Sequence, residues 1–245
     1  MLTLLDHGQF NSDETLLEDF LDDFSCVMFD CSTLPFDENI RRTAAYVERH
    51  GDHVTIEGAV DEITSAGGIP RDELCTVERA QQFVRETGVD LIVPNVGTEH
   101  RSTLEKAKYH GGLARAISQA VGKILCLHGT SSLGVHDIDR IKDDGIIKVN
   151  IWTRLERIGG QAVARHTLKD LGNILDAGEI TELVREGLLG PAFGDPEQLA
   201  RACGGKIGPK LSSVAEVERC DVWVNAVIPA IKEYLYMFGY VNYAK

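Results

Sequence analysis

The chain has 245 residues, 43% hydrophobic and 26% charged, and a formal net charge of −13. That length suits one α/β domain, and the acidic balance excludes nucleic acid and anionic membrane as partners. A small anionic substrate stays admissible, because a metal or a local dipole outweighs a diffuse negative field. No apolar run approaches the roughly 20 residues of a bilayer span. The chain starts almost directly in a strand-like run, so no signal peptide is expected, and the six cysteines contain no CxxC pair, so a cytoplasmic protein with reduced thiols is expected.

The first element is an apolar run over residues 2–5, ending in Asp6-His7-Gly8. Asn11-Ser12-Asp13 then predicts a helix start, with Leu16, Leu17, Phe20 and Leu21 on its inward side. A second strand, 26–30, closes on Asp30 and leads into Leu34-Pro35-Phe36-Asp37-Glu38-Asn39-Ile40. Pro35 opens a helix there, with Ile40, Ala44 and Val47 inward. A third strand is predicted over 53–58, carrying Glu57, and is followed by the Gly-bearing stretch 64–70, read as a mobile lid. A helix from Thr76 through Glu86 turns Ala80, Phe83 and Val84 inward and ends at Gly88. The fourth strand, 91–95, leads to Gly97-Thr98-Glu99-His100-Arg101, and a long helix with a bend at Gly111-Gly112 is predicted over 104–121.

The most informative stretch runs from Ile124 to Thr153. An apolar run (124–127) stops at His128-Gly129-Thr130-Ser131-Ser132. A helix with Ile138 and Ile141 on one face ends at Gly145, and a second apolar run follows to Ile151. This is a βαβ unit with parallel strands. Both strands end in polar residues, which is where α/β barrels carry their chemistry. The Gly-Thr-Ser-Ser turn reads either as a phosphate seat or as an ordinary strand-to-helix turn capped by His128.

A strand closing on His-Gly-x-Ser, followed by Lys-Val-Asn-x-x-Thr, resembles the class II, metal-dependent fructose-bisphosphate and tagatose-bisphosphate aldolases. Leu-Asp-His-Gly at the start, Leu-Pro-Phe-x-Glu-Asn-Ile after Asp30 and Gly-Thr-x-His at His100 extend the resemblance over residues 2–155. It implies a TIM-type (β/α)8 barrel holding Zn2+ through His7, His100 and His128, with Asp30 as a ligand of a displaced metal position. It further implies Asp6 as catalytic acid/base, Gly129 and Ser131 as phosphate loop, and Asn150 and Thr153 as substrate contacts. The implied reaction is reversible aldol cleavage of a phosphorylated ketose to dihydroxyacetone phosphate and an aldehyde, by a cytoplasmic homodimer. The remaining five histidines read as structural or exposed.

The chain also departs from the family pattern. Ala59 stands where a metal-ligating Glu is expected, and Gly67-Gly68-Ile69-Pro70 replaces a lid segment carrying a proton-shuttling Glu, unless Asp72 or Glu73 substitutes. Arg101 replaces a Gly, and it reads either as an anion holder through its fork of donors or as a side chain pointing to solvent. Trp152 stands where a small or acidic residue is expected, and Asp195-Pro196-Glu197 replaces Asp-Pro-Arg. Six strands are counted, at 2–6, 26–30, 53–58, 91–95, 124–128 and 146–151, too few to close an eight-stranded cylinder. In the family the Asp-His-Gly strand is the third of eight, so the resemblance implies that two βα units are absent ahead of Met1. Either the sequence is a fragment, or another chain completes the barrel, or the sheet is open, and 1–245 is read as one incomplete barrel domain. Its tail, 156–245, is read as helical at 154–170, 179–186 and 214–238 and as irregular over 187–209. In the last helix Val217, Val224, Ile228, Ile231, Leu235 and Phe238 form the apolar stripe, with a kink at Pro229. The alternative is a non-catalytic metal- or phosphate-binding homologue, or a truncated inactive relative.

Overall fold

The computed structural model describes residues 2–63, 74–100, 108–214 except 203–206, and 216–240. The lid stretch and Arg101 lie outside them, as do Asp72 and Glu73. The chain divides into two units, Met1–Thr153 and Arg154–Lys245, close to the point where the resemblance weakens.

The first unit is built on six parallel strands in the order of the chain: β1 (Leu4–Gln9), β2 (Cys26–Asp30), β3 (Thr55–Ala59), β4 (Leu91–Val93), β5 (Leu125–Leu127) and β6 (Ile146–Val149). Helices separate them: α1 (Glu14–Glu18), α2 (Phe36–His50), α3 (Val77–Thr87), α4 (Gly111–Val121) and α5 (Val135–Arg140). These are the βα units of an incomplete barrel, with the predicted number of strands. The sheet curls so far that Asn150, just past β6, donates from Nδ2 to Asp6 Oδ1 on β1 at 2.8 Å.

Strand alternation sorts the side chains into two layers. Met28, Ala59, Val93 and Cys126 cluster on the inner face. Asp30, Glu57 and His128 each stand two residues from one of these, so alternation brings them to the same face. Val27, Ile56, Ile92 and Leu125 fill the alternate positions and are fully buried. Both faces are covered, which is why these strands read as nearly continuous apolar runs. Gly58 belongs to the outer layer, and a Cβ there would stand 2.8 Å from the Phe83 ring of α3.

Several boundaries differ from expectation. The first helix is a single short turn followed by a 3-10 turn, Leu21–Asp23; Leu17 and Leu21 are buried, but Leu16 and Phe20 are exposed. Asp13 does not cap it, because its carboxylate accepts from the Gln9 amide instead. No bend interrupts α4, which starts at Gly111, where the bend was predicted. The stop signals hold, with Gly88 and Gly145 in the left-handed region at the ends of their helices (φ 72° and 85°).

The second unit contains α6 (running on from Thr153 to Lys169), α7 (Leu171–Ile174), α8 (Ala177–Arg185), α9 (Pro196–Ala202), α10 (Leu211–Val214) and α11 (Glu216–Met237). Asp176 and Glu179 form a reciprocal capping box on α8. Residues 187–209 are not all irregular: Pro196 opens α9, and Asp195 accepts from the Glu197 and Gln198 amides. In α11 the buried stripe is Val227, Ala230, Tyr234 and Met237, whereas Val224, Ile228, Ile231 and Leu235 are exposed. The predicted face is therefore corrected: the helix carries two apolar stripes, and period alone does not say which one packs. Pro229 lies inside α11 without ending it.

Among the described residues no helix is long and apolar enough to cross a membrane. Cys26, Cys31, Cys75, Cys126 and Cys220 are free thiols.

Candidate metal centre and cavity

A cavity of about 640 Å³ opens inside the curled sheet, floored by Met28, Ala59 and Val93. Asp6 and His7 reach it together although they are sequence neighbours, which a regular strand forbids. The device is a bulge: pairing of β1 with β2 shifts between Leu5 and Gly8, and His7 takes a φ of +54°. His7 lies within β1 rather than past its end. A non-glycine residue in the left-handed region is held there by its surroundings, and such strain gathers at functional positions.

The structure brings His7, His100 and His128 together, with one ring nitrogen of each within 4.8 Å of the others. Each of two rings has a carboxylate behind it. His7 Nδ1 is 2.8 Å from Asp30 Oδ2, and His128 Nε2 is 2.9 Å from Glu57 Oε1. An ionised carboxylate only accepts, so the nitrogen facing it carries the hydrogen and the opposite nitrogen presents a lone pair. His7 therefore offers Nε2 and His128 offers Nδ1, and these two atoms face each other at 3.1 Å. Two facing lone pairs repel unless a proton or a cation joins them. Ligand nitrogens around a tetrahedral zinc stand about 3.3 Å apart, so the donor set fits such an ion.

The electrostatics agree. Burial lowers the pKa of His7, but hydrogen bonding to Asp30 and the charges of Asp6, Asp30 and Glu57 outweigh it, and the net shift is upward. Burial would raise Asp30, but hydrogen bonds from His7 and Ser32 hold it down at about 2. Burial works on Glu57 in the same sense, and His128 and Lys148 bring it to about 2. The carboxylates behind the two imidazoles are thus held ionised.

Asp30 itself sits behind His7 and not in the three-histidine group. Its Oδ1 accepts from the amide and hydroxyl of Ser32, and its Oδ2 is taken by His7 and the Gln9 amide group. Both oxygens are committed, so its placement is that of an orienting carboxylate. Gly129, Ser131, Asn150, Thr153 and Trp152 all line the cavity, and Trp152 is 60% exposed. His136 is exposed on α5.

Sequence reasoning missed two residues. Glu57, wholly buried, and Lys148 form an ion pair at 2.7 Å across the barrel interior. The available signal was a lone charge in the middle of each apolar strand, since a buried charge demands a partner.

The turn after β5 depends on Gly129, whose φ is +70°; a Cβ there would stand 2.8 Å from the Glu99 carbonyl. Gly129→Ala is expected to cost about 1–3 kcal/mol and to lower Tm by several degrees. Gly134→Ala, in open space at φ −72°, should leave Tm within a degree or so. Scanning calorimetry showing equal effects would remove the strain argument.

Residues 1–203 match the family model described as fructose-bisphosphate aldolase class-II. A probable fructose-bisphosphate aldolase of Bacillus subtilis is 29% identical over 208 residues, covering 79% of this chain and 70% of its own length. A fructose-bisphosphate aldolase of Staphylococcus epidermidis is 29% identical over 192 residues; the match takes 75% of this chain and 65% of that protein, so the chain spans about two thirds of these relatives. In fold, the chain is similar to the crystal structure of a Campylobacter jejuni fructose-bisphosphate aldolase (TM-score 0.69, 18% identity, 98% of this chain and 71% of that one). It is also similar to that of the YdjI aldolase of Escherichia coli (TM-score 0.59, 22% identity, 100% and 70%).

Proposed function

The chain belongs to the class II fructose-bisphosphate aldolase family, and from that premise we propose a zinc-dependent lyase that reversibly cleaves a phosphorylated ketose. The observation that carries the reading is the opposed pair of imidazole nitrogens on His7 and His128, 3.1 Å apart, with His100 completing the set.

Three neutral imidazoles would hold Zn2+ and leave a position for substrate. What such an ion supplies when bound is polarisation of the ketose carbonyl and stabilisation of the charge that grows on its oxygen. The chain's own groups do the rest. Asp6, held by Asn150, takes the proton from the hydroxyl on the carbon that becomes the aldehyde, and returns it in the synthetic direction. Gly129 and Ser131 seat the phosphate, and Thr153 adds a hydroxyl at the cavity edge. Asp30 and Glu57 hold the imidazoles in the tautomers that present lone pairs inward.

The lining argues for a single phosphate. Asp6, Asp30, Asp61 and Glu62 face the cavity, and among its described lining residues there is no Lys or Arg. Trp152 also lines it, and in the sequence Glu197 stands in the Asp-Pro segment where the family pattern has an Arg. A charged hydrogen bond contributes about 1.5–3 kcal/mol, so lacking one should disfavour a bisphosphate by about tenfold to a hundredfold. The expected result is a higher kcat/KM for ketose 1-phosphates than for fructose 1,6-bisphosphate in the zinc-loaded protein. A clear preference for the bisphosphate would overturn the single-phosphate reading. Zinc uptake with no turnover of any ketose phosphate would leave a non-catalytic metal-binding homologue.

A further inference from the structure

We propose that Lys148 is a positioning residue that couples the metal-facing imidazole of His128 to the proton-carrying carboxylate of Asp6. The inference rests on the zinc-lyase reading above and concerns residues that reading leaves unexplained.

Lys148 and Asn150 are two apart along β6 and its extension, so alternation puts both on the inner face. The Lys148 ammonium lies 2.7 Å from Glu57 Oε2 and donates to Asn150 Oδ1 at 2.6 Å. From these two contacts a chain runs each way. Glu57 turns its other oxygen, Oε1, to His128 Nε2 at 2.9 Å. Asn150 turns its amide nitrogen to Asp6 Oδ1 at 2.8 Å.

Donor chemistry makes this arrangement directional. An ammonium has three hydrogens and no acceptor, so whatever faces Lys148 must be an oxygen. Asn150 therefore cannot flip: its oxygen is held by Lys148, and its NH2 must face Asp6 and the cavity. Were the amide reversed, an amide oxygen would stand against the Asp6 carboxylate, and Asp6 would swing away from the hydroxyl it serves. The same ammonium fixes Glu57 by its far oxygen, leaving only Oε1 for His128. One cation thereby sets the rotamer of the group behind a metal ligand and the amide sense of the group behind the general base. These two jobs come from opposite sides of the barrel, on β3 and β6.

A bland role, in which Lys148 only neutralises the buried Glu57, makes different predictions. It would couple Lys148 to Glu57 alone, and its losses would simply add to those of Asn150→Ala. The test is a pair of double-mutant cycles on the full chain. Lys148→Met is expected to weaken zinc binding about tenfold, in the range for residues that orient ligands. It should also shift the visible absorption bands of the cobalt-substituted protein and lower kcat at least tenfold with KM little changed. The zinc effect should vanish in a Glu57→Gln background, and the kcat effect should vanish in an Asn150→Ala background.

Lys148→Met combined with Glu57→Gln removes both charges of the pair and serves if the single variant does not fold. For this pair too, the fall in kcat should vanish in an Asn150→Ala background. Additive losses in both cycles, or an unchanged cobalt spectrum with unchanged zinc affinity, would overturn the proposal while leaving the zinc-lyase reading intact. A wild-type protein that takes up no zinc or cobalt would overturn both. One that binds zinc without turnover would end the lyase reading, and the affinity and spectral cycle would still decide the role of Lys148 toward His128.

Discussion

Replacing His128 by alanine is expected to strip the protein of zinc, while His136→Ala leaves the metal content as it was. His128 is 1% exposed and offers Nδ1 to the centre, with Glu57 fixing the ring from behind. A four-ligand zinc site supplies roughly 10–16 kcal/mol, so one ligand is worth about 3–4 kcal/mol, or two to three orders of magnitude in Kd. The variant should also unfold more easily. Glu57 loses one of its two partners while remaining fully buried, at a cost of about 1–3 kcal/mol. His136 sits exposed on α5, outside the group of three histidines, and its loss should change neither quantity. Metal analysis after dialysis against a weak chelator is the measurement. Equal zinc loss in the two variants would dismiss the three-histidine centre.

The route to that centre was only partly legible in the sequence. The apolar runs and the glycines at positions 88 and 145 marked the βα units, because a helix stop and a buried strand each leave a local signature. Grouping His7, His100 and His128 needed the family resemblance, since no short spacing joins residues on three different strands. What could not be read were contacts made across the barrel. Glu57 and Lys148 were visible as odd charges in apolar runs, yet nothing along either strand says that β3 faces β6. Asp30 is expected as a ligand of a displaced metal position because it matches the family pattern, and the geometry adds what the motif does not say, that both its oxygens have partners here. The bulge at His7 was equally hidden. It depends on a register shift against β2, and register belongs to a pair of strands and not to one.

The same bulge sets up the last expected result: Asp6→Asn should retain zinc and lose turnover. Asn is nearly isosteric with Asp, and its side-chain oxygen can still accept from Asn150 Nδ2, the contact that Asp6 makes at 2.8 Å. The geometry around His7 is therefore kept, including its bond to Asp30, and three imidazoles remain to hold the ion. What disappears is the only property the proposed chemistry asks of Asp6, a carboxylate that takes up and returns a proton. General acid–base catalysis by one positioned group contributes about 10²–10⁴-fold, and kcat should fall by that factor. KM should change little, since the seat at Gly129 and Ser131 is untouched, and the zinc content should match the wild type. Steady-state kinetics on the preferred ketose phosphate, run beside metal analysis of the same samples, separates the cases. A fall in zinc that parallels the fall in kcat would make Asp6 a support of the metal centre and not the proton carrier. Wild-type turnover in the variant would pass the proton-carrying role to another group.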